Sequence, residues 1–295
     1  MVDTELFVSH SYVRCLRRGM AFALRNLGGI LLFSLPSLLL FTVVGVVLDN
    51  NFCMTLARGE ETGISGYCTL AVFVLPFLLL QTTIVWQQHG LGANGTLPKL
   101  DSWRQARPML RLFLRNALMN LLMALVVGGV AALLWMGGNR LSLLAKSMNI
   151  STIGWMGIGV GGILIFFFLL GLLAFLQLLW ANYLYGNQRF FDTVRVTLRG
   201  RRHVGRTMAL QFMQLFYALV VLVVFCLPYA LFVIMEGLAQ QTQVLGDAVS
   251  LPGYYVYLHY AALLLGVLGV AITWVLTLYP TLYNWCAIQG EKVAA

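Results

Sequence analysis

The chain has 295 residues and a mass of 32.8 kDa; 60% of its residues are hydrophobic, 10% are charged, and the mean hydropathy is +0.84. Water-soluble domains carry about 25% charged residues, so a soluble fold of this length is excluded. The formal charge is +9, from 19 Lys and Arg against 10 Asp and Glu, and Arg greatly outnumbers Lys.

A helix crossing the hydrocarbon core needs about 20 apolar residues. Stretches without Asp, Glu, Lys or Arg predict six such helices. They are Asn26–Leu48, Tyr67–Trp86, Asn116–Met136, Trp155–Tyr183, a fifth between Arg206 and Glu236, and Tyr257–Trp285. Runs such as LLLFTVVGVVL and LIFFFLLGLLAFL lack period-two alternation, which excludes outer-membrane strands. The first span exceeds a typical signal-peptide core, carries Pro36 and is followed by no small-residue cleavage site, so it is expected to remain as an anchor. The expected fold is therefore an all-α, polytopic membrane domain occupying the whole chain.

Sorting Lys and Arg by loop orients the chain. The N-terminal segment (Arg14, Arg17, Arg18, Arg25), the second loop (Lys99, Arg104, Arg107, Arg111, Arg115), the fourth loop (Arg189, Arg195, Arg199, Arg201, Arg202, Arg206) and the tail (Lys292) hold all but three of them. Arg58, Arg140 and Lys146 are the exceptions. The positive-inside rule then places both termini in the cytoplasm, with a bacterial inner membrane as the expected location.

The segments ahead of the odd-numbered spans resemble one another. SYVRCLRRGMAFALRN aligns with DSWRQARPMLRLFLRN when shifted by 90 residues, superposing Arg14, Arg17 and Arg25 on Arg104, Arg107 and Arg115. The apolar set Val13, Leu16, Met20, Ala23, Leu24 falls on Trp103, Ala106, Leu110, Phe113, Leu114, both with helical spacing. FFDTVRVTLRGRRHVGRT follows 91 residues later with a weaker apolar match. This pattern predicts three units (about 5–90, 95–186 and 188–290), each an amphipathic helix at the membrane interface followed by a transmembrane hairpin. Arg14, Arg17, Arg18, Arg104, Arg107, Arg111, Arg195, Arg199, Arg201 and Arg202 are candidates for binding anionic lipid or a cytoplasmic protein, because guanidinium pairs bidentately with phosphate. Topology alone also explains the bias. Nucleic acid is not an expected partner, and the oligomeric state is not encoded legibly.

The spans themselves look chemically quiet. None of the six as drawn contains Asp, Glu, Lys or Arg, and His10, His89, His203 and His259 sit in loops or at span ends with no carboxylate nearby in sequence. Neither a metal site nor a cofactor site is expected. What remains at depth is neutral, and Gln81, Gln177, Asn182, Gln211 and Gln214 form either a polar path or ordinary interhelical hydrogen bonds. Gly157 and Gly161 stand in small-xxx-small register, and Pro36, Pro76, Pro228 and Pro280 each interrupt a span. Cys53 and Cys68 share the first external loop, where an oxidising compartment would permit a disulfide.

FFDTVRVTLRGRRHVGRTMALQF and SWRQARPMLRLFLRN resemble the helix-plus-hairpin pattern of the membrane domain attached to bacterial glycerophosphodiester phosphodiesterases, and of related free-standing six-helix inner-membrane proteins. The resemblance implies the architecture but no enzyme, since the catalytic domain has no room here, and it carries over no site residues. The expectation is a non-enzymatic, permease-like or lipid-linked transport subunit that docks a cytoplasmic partner through its basic helices. An assembly or envelope-homeostasis factor is the alternative. A membrane-embedded transferase is more remote, for want of an acid or base at depth.

Overall fold

The fold is taken from a computed structural model, which describes residues 11–94, 106–147, 152–186, 188–245 and 251–294. These residues are helical throughout apart from short turns, and no strand occurs among them. In chain order the helices are α1 (Tyr12–Arg25), α2 (Leu27–Phe33), α3 (Leu35–Leu48), a π-helical turn (Asp49–Cys53), α4 (Met54–Ala57), α5 (Ile64–Asn94), α6 (Ala106–Ser147), α7 (Thr152–Tyr185), α8 (Phe190–Arg199), a 3-10 turn (Arg201–His203), α9 (Val204–Val244) and α10 (Tyr255–Ala294).

Six stretches are long and apolar enough to cross a membrane: Leu35–Ala57, Ile64–Leu91, Arg107–Gly137, Gly161–Tyr185, Val204–Thr242 and Tyr255–Gly290. Their outer faces are apolar. Val43, Leu125, Phe168 and Val224 are each more than 60% exposed, as side chains facing lipid would be.

The chain divides into two compact units. The first comprises residues 1–113 and 213–295, the second residues 114–212, so α6 and α9 contribute to both.

In the first unit α1, α2 and α3 succeed one another through single residues. At Asn26 the backbone reaches φ −107°, yet its N–H still donates to the Phe22 carbonyl (3.1 Å), and the Ser34 N–H donates to the Ile30 carbonyl (3.1 Å). The chain bends there and does not stop. Pro36 follows in the first turn of α3, where its missing N–H costs no helical hydrogen bond, so it does not interrupt the span. Pro76, Pro228 and Pro280 do lie inside helices.

The apolar face of α1 packs on protein. Cys15, Leu16, Gly19 and Ala23 are buried, and the Phe22 ring meets Tyr279 (5.5 Å) and Tyr283 (6.4 Å) of α10. Val13 and Leu24, grouped with Leu16 and Ala23 by helical spacing, instead face outward. The contact is close: a Cβ on Gly19 would stand 2.6 Å from Pro280 Cα and 2.7 Å from Pro280 N. Further along, Phe41, Leu80, Val267 and Ala271 form a buried cluster joined by Phe73, Phe77 and Trp274. Phe41 lies 4.7 Å from Phe73, and Phe77 meets Trp274 edge-on at 5.3 Å.

In the second unit α7 carries α8. Leu176, Leu178, Leu179, Trp180, Ala181 and Leu184 are buried. Trp180 Nε1 donates to Asn116 Oδ1 of α6 (3.1 Å), and Gln211 of α9 donates to the Leu173 carbonyl (3.1 Å). Residues Ala106 to Arg115, expected as a separate interfacial helix, run without interruption into the span of α6, so Arg107, Arg111 and Arg115 occupy its opening turns. Only α1 and α8 are separated from the following span by a bend or turn.

Candidate functional site

The basic residues fall into distinct settings. Arg14 and Arg17 lie on the exposed side of α1, and Arg107 and Arg111 on the exposed side of α6. Arg104 lies outside the described residues, and Arg202 belongs to the 3-10 turn after α8. Arg18, half-buried, is engaged in interactions within the protein.

The most built of these settings is α8. Its inward face is polar: Thr193 and Thr197 are buried, donating to the Arg189 carbonyl (2.9 Å) and the Thr193 carbonyl (2.8 Å). Asn182 of α7 donates to Thr197 Oγ1 at 3.1 Å. Phe190 sits edge-on to Tyr183 at 5.9 Å. Arg115 donates to the Gln188 carbonyl (3.0 Å) and lies 5.0 Å over the Tyr183 ring. These contacts fix the helix and the strand-like entry to it, so the outward face is held in register. That face forms an open groove of about 640 Å³ lined by Phe191, Val194, Arg195, Leu198, Arg199 and Arg201. Phe191 is 84% exposed and Leu198 55%. Three guanidinium groups therefore stand beside an apolar wall.

Compared with family models, curated proteins and solved structures, the chain matches none.

The neutral polar residues are placed separately. Gln81 is buried in the first unit. Gln214, also there, donates to the Thr277 carbonyl (2.7 Å) and to Thr281 Oγ1 (3.1 Å). Asn182 and Gln211 belong to the second unit with the partners given above, and Gln177 is half-buried there. In the first unit Gln87 donates to the Ile30 carbonyl and to Ser34 Oγ (both 3.1 Å), and Ser37 pairs with Thr83 (3.1 Å). Each of these bonds joins one helix to another, as neutral polar groups do where water is scarce. Cys53 and Cys68 are both free thiols. Cys68 is exposed on α5, whereas Cys53 lies within hydrogen-bonding reach of Tyr229.

The sequence reading missed one centre. The first apolar stretch runs beyond Leu48 to Ala57 and includes Asp49, the residue just past the span as drawn from the sequence. Asp49 is 1% exposed. Its Oδ1 accepts from Tyr229 Oη at 2.5 Å and its Oδ2 pairs with His259 Nε2 at 2.7 Å. The helix widens here, the Met54 N–H reaching back to the Asp49 carbonyl, a one-turn irregularity frequent at functional positions. The His259 ring is surrounded by Tyr229 (5.6 Å), Phe232 (6.3 Å), Tyr255 (6.4 Å) and Tyr260 (5.5 Å). Beside it, Arg58 and Glu236 form an ion pair at 3.5 Å. Asp49 and His259 are 210 residues apart in sequence, so local spacing carries no sign of the pair. A signal does exist in that Asp49 ends the first apolar run and His259 opens the last.

Proposed function

We propose that this chain is an integral protein of a bacterial inner membrane, with both termini in the cytoplasm, that acts without catalysis as a permease-like or lipid-linked transport subunit. In this reading the basic faces of α1, α6 and α8 lie at the cytoplasmic surface. The α8 groove holds the phosphate of an anionic lipid, and the surrounding basic surface docks a cytoplasmic partner. The observation that carries it is the α8 groove, with Arg195, Arg199 and Arg201 beside Phe191, Val194 and Leu198. Guanidinium groups suit a phosphate diester, and the apolar wall suits the first carbons of an acyl chain. The resemblance to the membrane domain of glycerophosphodiester phosphodiesterases, and the threefold recurrence of Arg-bearing segments, belong to the same proposal.

The test is lipid selectivity of the full chain in nanodiscs containing phosphatidylcholine with or without phosphatidylglycerol. Lipid retained by the protein is quantified after dilution, and glycerol phosphate is added as a soluble competitor. Each basic residue near an anionic surface contributes about 1 kcal/mol, so replacing Arg195, Arg199 and Arg201 with Gln removes about 3 kcal/mol, roughly a hundredfold in retention. Competition by glycerol phosphate alone would identify a soluble phosphate as the ligand. Equal retention of both lipids by the parent chain, or an unchanged preference in the triple variant, overturns the proposal.

A further inference from the structure

The centre at Asp49 goes beyond a lipid-docking role and stands on separate observations. A carboxylate buried in an apolar bundle is costly unless its oxygens are hydrogen-bonded, and here one bond comes from α9 (Tyr229) and one from α10 (His259). His259 is itself 5% exposed, and its Nδ1 is buried with no hydrogen-bond partner. A ring nitrogen left over after the other has been fixed by a carboxylate is the arrangement in which imidazole gives and takes protons.

Ionisable residues within an apolar helix bundle are costly, and by default they are candidates for proton or ion pathways. Position supports this. His259 sits one turn into α10, where Tyr254, Tyr257 and Leu258 beside it in the chain are exposed at this end of the bundle. Along the same helix it is about 30 Å from Pro280, against which Gly19 of α1 packs. The facing titratable and charged groups are Tyr229 of α9, Cys53 of the π-turn, Tyr255 and Tyr260 of α10, and, beside Tyr255, Glu236 with its partner Arg58.

We propose that Asp49 and His259 form a proton-exchange site, in which His259 Nδ1 binds and releases a proton while the Nε2–Asp49 bond holds the ring in place. The proton comes from water at this end of the bundle and returns to it. With Nδ1 unprotonated, the ionised pair carries one negative charge; with Nδ1 protonated, it is neutral. No bond between heavy atoms changes. The exchange alters the charge at the point where the first, fifth and sixth apolar helices are tied together.

The test is nitrogen NMR of the full chain labelled with 15N-histidine, in nanodiscs, over a wide range of pH. The His259 signals are assigned by their loss in His259→Asn. If that variant fails to fold, replacing His10, His89 and His203 with Asn leaves only the wanted signals. The expected result is an Nε2 that stays protonated throughout while Nδ1 passes between its two states. In Asp49→Asn the Nε2 preference disappears, and in Tyr229→Phe it persists. A stopped-flow pH jump with an indicator dye should show a proton-uptake step that Tyr229→Phe keeps and His259→Asn loses. An Nδ1 fixed in one state over this range, or an Nε2 preference unaffected by Asp49→Asn, overturns the inference. Lipid retention at the α8 groove is expected to be unchanged in all of these variants, so failure of either proposal can be recognised without the other.

Discussion

Replacing Gly19 with Ala tests whether α1 is an integral part of the first unit or a loosely attached surface helix. The added methyl would lie 2.6 Å from Pro280 Cα, 2.7 Å from Pro280 N and 3.1 Å from Pro280 Cγ, where carbon atoms in contact keep about 3.5–4.0 Å. Two of these three neighbours are backbone atoms of α10, so no side-chain rotation relieves the clash. The helices must part by about 1 Å, loosening Cys15, Leu16 and Ala23, which are buried against each other's surroundings. Overpacking of this kind costs about 1–3 kcal/mol. Exchange of Gly for Ala in a helix returns up to about 1 kcal/mol, and Gly28→Ala isolates that gain, because a Cβ at Gly28 meets nothing within 4 Å. The two variants should therefore differ by about 1–3 kcal/mol, with Gly28→Ala at or above the parent stability. Reversible unfolding in mixed micelles with increasing sodium dodecyl sulfate, followed by tryptophan fluorescence, measures both. Equal stability of the two would refute the close α1–α10 contact and return α1 to the membrane surface.

Two further outcomes follow from the centre at Asp49. Asp49→Ala leaves the Tyr229 hydroxyl and the His259 ring without their shared acceptor, and the same unfolding assay should show a loss of about 3–5 kcal/mol, as for other broken buried pairs. Arg58→Ala removes a partner that is 38% exposed, and should cost less than about 1 kcal/mol, falling further at high salt.

How much of this was legible beforehand depends on the range of the interaction concerned. Six apolar stretches and the clustering of Arg were visible because each is a property of a contiguous segment. The register of the first span was not. An Asp after Leu48 looks like a span end on composition, and only the bonds from Tyr229 and His259 let the helix carry it onward to Ala57. The apolar face of α1 was visible from helical spacing, but spacing cannot say whether lipid or protein covers it. The deciding feature, Gly19 against Pro280, pairs residues from opposite ends of the chain. In α8 the sequence showed Arg and apolar residues in alternation. That Thr193 and Thr197 would be the inward face, leaving Phe191 and Leu198 outside, depended on Asn182 of the preceding helix.

Orientation is the claim on which the proposed cytoplasmic docking role depends, and labelling with a membrane-impermeant maleimide in intact bacterial cells measures it directly. The exposed Cys68 serves as the probe for one side. Val13→Cys on α1 and Leu198→Cys on α8, each placed in a Cys68→Ser background, serve as probes for the other. The account predicts that Cys68 is labelled in intact cells, while the engineered cysteines are labelled only after the membrane is permeabilised. Labelling of Val13→Cys or Leu198→Cys from outside, with Cys68 protected, would contradict it.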